Sequence, residues 1–161
     1  MIAGADVVSM LGSMGITHVV TIPDSTIGQW DADLSASHIR MVRVCREGEA
    51  WTIAGGLYLG GASPLVLIQC TGLFESGDAL RNTIHEWKLP IYSMIGYRSY
   101  LNQDTLPGDT TLVFTEPILA AWKMDVRLIT TPKEFAGIPA HYRDCQAAGR
   151  AGVALIGEGK A

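Results

Sequence analysis

The sequence predicts an α/β protein: a doubly wound, mainly parallel sheet of about six strands with helices on both faces. Short apolar runs alternate with segments of helical periodicity along the whole chain. The run Leu65-Val66-Leu67-Ile68 is continuously apolar, which is typical of a parallel strand covered on both faces. No repeat, linker or composition shift divides residues 1–161, so we expect one domain.

The first half of the chain predicts three strands, each preceded or followed by a helix. We expect strands at 18–22, 39–44 and 64–69, the second of them buried, and helices at 3–14, at 27–34 and from Glu47. Gly15 is expected to end the first helix. Residues 23–26 are expected to form a turn in which Asp24 or Ser25 caps the following helix.

The second half continues the same alternation. We expect a loop over 70–77, a helix over 78–88, a strand at 90–96 and a long polar connection over 97–111. A helix at 115–123 and strands at 126–129 and 153–156 follow, with a tail from 157. Thr131-Pro132-Lys133-Glu134 predicts a helix start, with a capping Thr, an early Pro and a Glu at the third helical position.

Composition limits the functional classes. Charged residues make up 17% of the chain against a norm of about 25%, which indicates extensive buried surface, including a subunit interface. A net charge of -4 without a basic run argues against nucleic acid as a partner. No apolar stretch reaches the roughly 20 residues of a membrane span, and we expect no signal peptide. Three cysteines without metal-ligand spacing predict reduced thiols in a cytoplasmic protein and no metal site.

The segment from Arg46 to Gly56 combines carboxylates at a helix start with several glycines. Glu47 and Glu49 fall in the first turn, where the helix dipole favours anions, so the simplest interpretation of each is a dipole partner. Each interior glycine costs roughly 0.5–1 kcal/mol relative to alanine, which indicates that a ligand or another backbone comes close. Because ligands bind at the carboxyl ends of parallel strands, a carboxylate at the head of this helix, Glu47 or Glu49, is also a candidate acid/base group, with support of the helix end as the simpler expectation for Glu49.

Two phosphate-binding motifs are missing from the sequence. The first strand–helix turn lacks G-x-G-x-x-G, and no phosphate loop ending in Gly-Lys-Ser/Thr occurs. The predicted fold is therefore that of a nucleotide binder without the usual phosphate-binding turns.

The spacing of Glu47, Ala50, Ala54 and Gly56 resembles the Glu-x-x-Ala-x-x-x-Ala-x-Gly pattern in the pyrimidine-binding domain of thiamine diphosphate enzymes. The likeness is greatest to the sulfopyruvate and phosphonopyruvate decarboxylases. Further segments resemble this family: Gln69-Cys70-Thr71-Gly72-Leu73, Ile95-Gly96-Tyr97-Arg98 and Thr115-Glu116-Pro117-Ile118-Leu119. The chain departs from the family at Cys70, Phe74 and Glu75, where the family has Asn and a Gly-Asn pair.

The resemblance implies that Glu47 contacts the aminopyrimidine ring and passes the proton that activates the cofactor. Pro23, Thr71 and Gly72 are the other positions expected to bind thiamine diphosphate, although an ordinary turn explains Thr71 and Gly72 equally well. Weaker substrate candidates are Arg98, His85 and Asp24. The alternative for Arg98 is a surface arginine, for His85 a helix-surface or core histidine, and for Asp24 a helix cap.

The metal–diphosphate motif of the family, Gly-Asp-Gly followed by Asn, does not occur. The resemblance therefore implies one half of an enzyme, with Mg²⁺ and the diphosphate held by a separate β subunit in a heterotetramer or larger hetero-oligomer. The expected reaction is decarboxylation of a small anionic 2-oxo acid such as sulfopyruvate or phosphonopyruvate. The alternatives are a subunit of another thiamine-dependent lyase or carboligase, and a non-catalytic module that retains the fold.

Overall fold

The structure, a computed structural model, describes residues 2–24 and 28–159. Its strands are β1 (His18–Thr21), β2 (Arg40–Arg43), β3 (Pro64–Gln69), β4 (Tyr92–Tyr97), β5 (Asp125–Ile129) and β6 (Gly152–Gly157). All neighbouring pairs are parallel, in the order β2-β1-β3-β4-β6-β5. The predicted doubly wound parallel sheet is confirmed.

The α-helices are α1 (Gly4–Ser13), α2 (Gly28–Ala36), α3 (Glu47–Leu59), α4 (Cys70–Arg81), α5 (Thr111–Ala121), α6 (Pro132–Phe135) and α7 (Ile138–Ala147). A π-helix, Asn82–Glu86, continues α4, and a 3₁₀-helix, Tyr100–Asn102, follows β4. The predicted start of α2 at Ile27 and the predicted cap at Ser25 lie outside the described residues. Within those residues, every helix is too short or too polar to cross a lipid bilayer.

Helices cover both faces of the sheet and form two apolar cores. Leu65 and Leu67 of β3 pack with α1, α2, α6 and α7, whereas Val66 and Ile68 pack with α3, α4 and α5. Since successive side chains of a strand point to opposite faces, a strand covered on both sides must be apolar at every position. The predicted bounds of β3 are confirmed for this reason.

The expectation that the second strand is buried is wrong. β2 lies at the edge of the sheet and pairs with β1. Its first and last residues, Arg40 and Arg43, are exposed, and Met41 and Val42 are half-buried. Arg43 donates to the Asp31 carboxylate of α2 at 2.8 Å, so a helix covers one face of the strand.

The predicted loop over 70–77 is also wrong, because α4 begins directly after β3. Its buried residues Cys70 and Leu73 belong to the core beneath α3. The Ser76 hydroxyl donates to the Gly72 carbonyl at 2.6 Å and accepts from the Trp51 indole at 2.9 Å. These tertiary contacts outweigh the weak helix propensity of Gly, Ser and Thr. The helix bends at Gly77, whose φ of 16° and ψ of -98° are not helical.

The helix expected at 115–123 begins earlier, at Thr111. The Asp109 carboxylate accepts hydrogen bonds from the Thr111 backbone N–H at 3.0 Å and from its hydroxyl at 2.8 Å. This side chain satisfies a free N–H group of the first helical turn, as a capping residue does. The long connection after β4 is therefore partly ordered by its own polar side chains.

Candidate functional site

The site lies at the carboxyl edge of the sheet, where the chain direction reverses. From β1 the chain proceeds to β2 on one side, and then crosses back to β3 on the other side. In such sheets ligands bind outside the carboxyl ends of the strands at this reversal. The backbone N–H of Val44 donates to the Thr21 carbonyl at 3.0 Å, which holds the ends of β1 and β2 together. The segments that follow β1, β2 and β3 therefore meet at one edge.

Glu47 is the first residue of α3, and Arg46 before it is extended, with φ -142° and ψ 145°. The Glu47 side chain is half-buried and lies directly on the backbone of Gly72 in α4. A Cβ atom at position 72 would lie 2.6 Å from Glu47 Oε1 and 2.7 Å from its Cδ. Only glycine admits this contact without movement of the carboxylate. The structure thus brings together two of the predicted site residues.

Two further carboxylates stand near the start of α3, and both have partners. Glu49 Oε2 accepts from the backbone N–H of Cys45 at 3.0 Å and of Arg46 at 3.3 Å. The prediction that Glu49 supports the helix end is confirmed. Glu75 Oε2 accepts from the Gly48 N–H at 2.8 Å, and its Oε1 accepts from Arg46 Nε at 2.8 Å.

The bond from Gly48, followed by the bond from Arg46, lowers the pKa of Glu75 below its ordinary value. Hydrogen bonds that favour the charged form of a carboxyl act in this direction. Glu75 therefore clamps the start of α3 to α4 as an anion.

The Glu47 carboxylate differs from both neighbours. Across residues 2–24 and 28–159, no hydrogen bond or ion pair engages it. It stands at a helix N-terminus, where the partial positive charge of the helix favours an anion. Of the three carboxylates around the start of α3, Glu47 is available to a ligand, while Glu49 and Glu75 hold the surrounding backbone.

Other predicted residues border the same edge. Pro23 is exposed and Asp24 is half-buried in the segment after β1, and the Asp24 carbonyl accepts from the Gly28 N–H at 3.0 Å. Thr71 is exposed, and its hydroxyl donates to Gln69 Oε1 at 3.2 Å. These residues lie on the segments adjoining Glu47 and Gly72.

Arg98 follows β4, the strand next to β3, and lies at the same edge of the sheet. Its Nε is 3.1 Å from Asp109 Oδ2, and its side chain is 55% exposed. The hydrogen bond from Ser99 to Asp109, at 2.7 Å, is the main cause of a lowered pKa at Asp109, and Thr111 and Arg98 act in the same direction. Arg98 is thus oriented by an anion, with much of its guanidinium in solvent.

His85 does not join the other candidates. It lies on the π-helix at the far end of α4, and a helix that begins at the carboxyl edge carries its last residues toward the amino edge. Its Nε2 is 2.8 Å from the Trp122 carbonyl oxygen, and its ring stacks on that indole at 6.3 Å between centroids. Within this chain His85 and Glu47 are separated by the length of α4.

Cys70, which departs from the family pattern, is a core residue at the start of α4. Its thiol is fully buried, and burial raises its pKa. Hydrogen bonding from the Arg98 backbone and from Thr115 opposes that rise. A protonated, inaccessible thiol has no nucleophilic role, so Cys70 supports the edge by packing.

Sequence reasoning missed the role of Glu75. The signal in the sequence was a glutamate within the predicted loop over 70–77. The hydrogen-bond partner of Glu75, Gly48, stands 27 residues earlier in the chain.

Comparison with known proteins adds sequence relatives and folds. The chain is 30% identical over 99 residues to a phosphonopyruvate decarboxylase of Streptomyces viridochromogenes, an alignment that covers 61% of this chain and 25% of that protein. It is 29% identical over 93 residues to the sulfopyruvate decarboxylase subunit alpha of Methanococcus maripaludis, covering 55% and 54% of the two chains. No protein-family model matches the chain.

Solved structures share the fold at lower identity. A benzoylformate decarboxylase from Polynucleobacter necessarius superposes with a TM-score of 0.70 at 20% identity, over 98% of this chain and 30% of that one. An enzyme from Mycobacterium smegmatis described as thiamin diphosphate-dependent gives 0.68 at 18% identity, over 97% and 30%. The chain spans about a third of these structures, and between a quarter and a half of its sequence relatives. It is thus similar in sequence to phosphonopyruvate and sulfopyruvate decarboxylases, and in fold to thiamine diphosphate enzymes.

Proposed function

We propose that this chain is the pyrimidine-binding subunit of a two-chain, thiamine diphosphate-dependent 2-oxo acid decarboxylase, with Glu47 as its acid/base group. The observation that carries the proposal is which carboxylates at the start of α3 are hydrogen-bonded and which is not. Glu49 and Glu75 are bound by backbone N–H groups, whereas Glu47 lies at the ligand-binding edge without a partner among the described residues. The sequence similarity to two decarboxylases supports this assignment.

The residues at this edge fit one half of the cofactor. Glu47 offers a carboxylate, and the absence of a side chain at Gly72 leaves room for it beside the backbone of α4. Pro23 and Thr71 are exposed on the adjoining segments and complete the proposed pyrimidine site. Arg46, a cation at this edge, is already bound to Glu75, and the sequence has no Gly-Asp-Gly motif. We therefore assign Mg²⁺ and the diphosphate to the partner chain.

When bound, thiamine diphosphate supplies the nucleophilic carbon and accepts the electron pair that decarboxylation releases. The contribution of this chain is the control of a proton at the Glu47 carboxyl oxygen. Because no donor among the described residues holds that oxygen, Glu47 can gain and lose a proton without breaking a hydrogen bond. Protonation of Glu49 or Glu75 would weaken bonds that hold the helix start.

The proposed substrate is a small anionic 2-oxo acid such as sulfopyruvate or phosphonopyruvate. Arg98 supports this choice, because a planar guanidinium suits sulfonate, phosphonate and carboxylate groups. Its pairing with Asp109 orients it, and it directly follows β4 at the same edge of the sheet as Glu47. Asp24 borders the same edge after β1 and is the second residue that we assign to substrate contact. We propose no role for His85, which lies at the other end of α4.

The proposed partner is a diphosphate-binding chain, in a heterotetramer or larger hetero-oligomer. Two helices of the same face expose large apolar side chains: Ile53 and Leu59 on α3, and Val113 and Phe114 on α5. Gly56 of α3 faces open space, which permits close approach of another backbone. Large apolar side chains exposed on one face of a chain favour an interface there.

The experiment is Glu47→Gln in the complex assembled with the partner. Glutamine keeps the shape but cannot transfer the proton, so we expect the rate to fall by about 10²–10⁴-fold. Hydrogen–deuterium exchange at the thiazolium carbon should slow in parallel. The fold should survive, because one charge at a helix start contributes only about 0.3–1 kcal/mol.

Glu49→Gln is the matched control from the same helical turn. It should lower the stability of the helix start with much less effect on turnover, because Glu49 binds backbone rather than ligand. Loss of turnover in Glu49→Gln with normal exchange in Glu47→Gln would refute the assignment of Glu47. If neither variant changes the exchange rate, the thiamine diphosphate proposal fails. Product analysis of the active complex separates decarboxylation from carboligation.

A further inference from the structure

A second cluster of polar side chains lies at the amino edge of the sheet, opposite the candidate site. Asp125 begins β5, and His141 and Cys145 stand one turn apart on α7. His141 Nε2 is 3.2 Å from Asp125 Oδ1 and 3.4 Å from Cys145 Sγ. One potential ligand atom from each residue lies within 4.8 Å of the other two.

The surroundings orient this cluster. His141 and Cys145 are buried, whereas the Asp125 side chain is 23% exposed. The buried Tyr92 hydroxyl is 2.8 Å from His141 Nδ1. A proton on Nδ1 that is donated to this oxygen leaves the Nε2 lone pair directed at Asp125 and Cys145. Histidines that bind metals almost always use their second nitrogen in this way.

We propose that Asp125, His141 and Cys145 together bind one zinc ion. The set offers nitrogen, sulfur and carboxylate oxygen, which are the ligands zinc takes in proteins. Tetrahedral zinc with typical bond lengths separates a nitrogen ligand from a sulfur ligand by about 3.6 Å. The observed Nε2–Sγ distance of 3.4 Å is close to this value. The partly exposed side of Asp125 gives access from solvent and room for water as the fourth ligand.

The cluster offers two anionic ligands to a divalent cation. Zinc displaces the proton of the Cys145 thiol to solvent, so that a thiolate and the Asp125 carboxylate face the ion. Arg150 binds the other carboxylate oxygen, Oδ2, at 2.7 Å, which leaves Oδ1 for the metal.

Such an ion would join α7 to an edge strand. β5 lies at the other edge of the sheet and pairs with β6, so an ion shared by Asp125 and two residues of α7 would fix that edge. A proton on His141 Nε2 shared between the Asp125 carboxylate and the Cys145 sulfur would give the same distances without a metal. Metal titration distinguishes this hydrogen-bonded cluster from a zinc site.

The experiment is titration of the chelator-treated full chain with zinc chloride, by calorimetry and thermal unfolding. We expect one zinc per chain and a raised melting temperature. Cys145→Ser should weaken binding by at least about 100-fold, since even partners behind a zinc ligand contribute about 10–100-fold. Tyr92→Phe should weaken it by about 10–100-fold for the same reason. Cys45→Ser, at an exposed thiol, is the matched control and should leave zinc affinity and the zinc-induced rise in melting temperature unchanged.

Absence of stoichiometric zinc binding would overturn the proposal, as would binding that is lost in Cys45→Ser and kept in Cys145→Ser. If Cys145→Ser fails to fold, the unmodified chain still provides a test. Cobalt(II) bound by a thiolate gives a sulfur-to-metal charge-transfer absorption, which is expected on addition of one equivalent. A cobalt complex without this band would exclude Cys145 as a ligand.

Discussion

Gly72→Ala tests whether the position of Glu47 matters for activity. The new methyl group would lie 2.6 Å from Glu47 Oε1 and 2.7 Å from Cδ. Unstrained contacts between such atoms are about 3.5–4.0 Å long, so the carboxylate must move by about 1 Å. A misplacement of about 1 Å at a reacting group lowers the rate by about 10²-fold. We therefore expect a loss of about this size in the assembled complex.

Gly72→Ala should lower activity without lowering the free energy of unfolding. Gly72 is the third residue of α4, and replacing glycine by alanine at a compatible backbone position stabilises a protein by about 0.4–1 kcal/mol, chiefly by restricting the unfolded chain. Glu47 is a flexible side chain that can yield, so the gain should largely survive. Urea unfolding of the isolated chain should give an unchanged or slightly higher free energy of unfolding, while cofactor-dependent turnover in the complex falls.

Gly12→Ala in α1 is the control, since the nearest atom to a new Cβ there is 3.6 Å away on His38. It should show the same helix stabilisation without loss of activity. Unchanged turnover in Gly72→Ala would refute the reasoning, because displacement of Glu47 would then have no chemical consequence. A loss of several kcal/mol of stability in Gly72→Ala would show instead that Glu47 and Gly72 form a rigid structural contact.

Two further predictions concern other residues at this edge. Glu75→Gln should destabilise the chain at neutral pH by about 1 kcal/mol, because it removes the anion that binds Gly48 and Arg46. Because folding lowers the pKa of Glu75, its contribution to the free energy of unfolding is present above the unfolded-state pKa of about 4.3 and disappears as the pH falls through the folded-state pKa. Urea unfolding at pH 7 should therefore show a difference between Glu75→Gln and the unmodified chain that shrinks below pH 4. A difference that stays constant with pH would contradict this prediction. Arg98→Lys should raise the KM for anionic 2-oxo acids and leave cofactor affinity unchanged, because lysine lacks the planar fork. An unchanged kcat/KM would mean that Arg98 serves only to bind Asp109.

Local signals in the sequence predicted several elements well. Gly15, with φ of 72°, ends α1, and glycine has no steric penalty there. The capping box at α6 forms as expected: Thr131 Oγ1 accepts from the Glu134 N–H at 3.3 Å, and Glu134 Oε2 accepts from the Thr131 N–H at 3.0 Å. Such interactions span three or four residues, so the residue types alone determine them.

Burial was harder to predict than local structure. The apolar content of the second strand indicated a buried element, but a strand's place in the sheet depends on all the other strands. Tryptophans of the same chain differ widely in exposure: Trp87 is 53% exposed, whereas Trp51 is fully buried and donates to Ser76. The start of α4 at Cys70 was not predicted because its first residues have low helix propensity. They form a helix because α3 and the sheet bury them, and burial depends on the tertiary structure.

The sequence alone determined the fold class and the position of Glu47 at the start of a glycine-rich helix after a strand. Only the tertiary structure decided which carboxylate there is available. Glu75 reaches Gly48 across 27 residues, and Gly72 meets Glu47 from another helix. These contacts exist because parallel β1, β2 and β3 bring their carboxyl ends to one edge, and that depends on the strand order of the whole sheet.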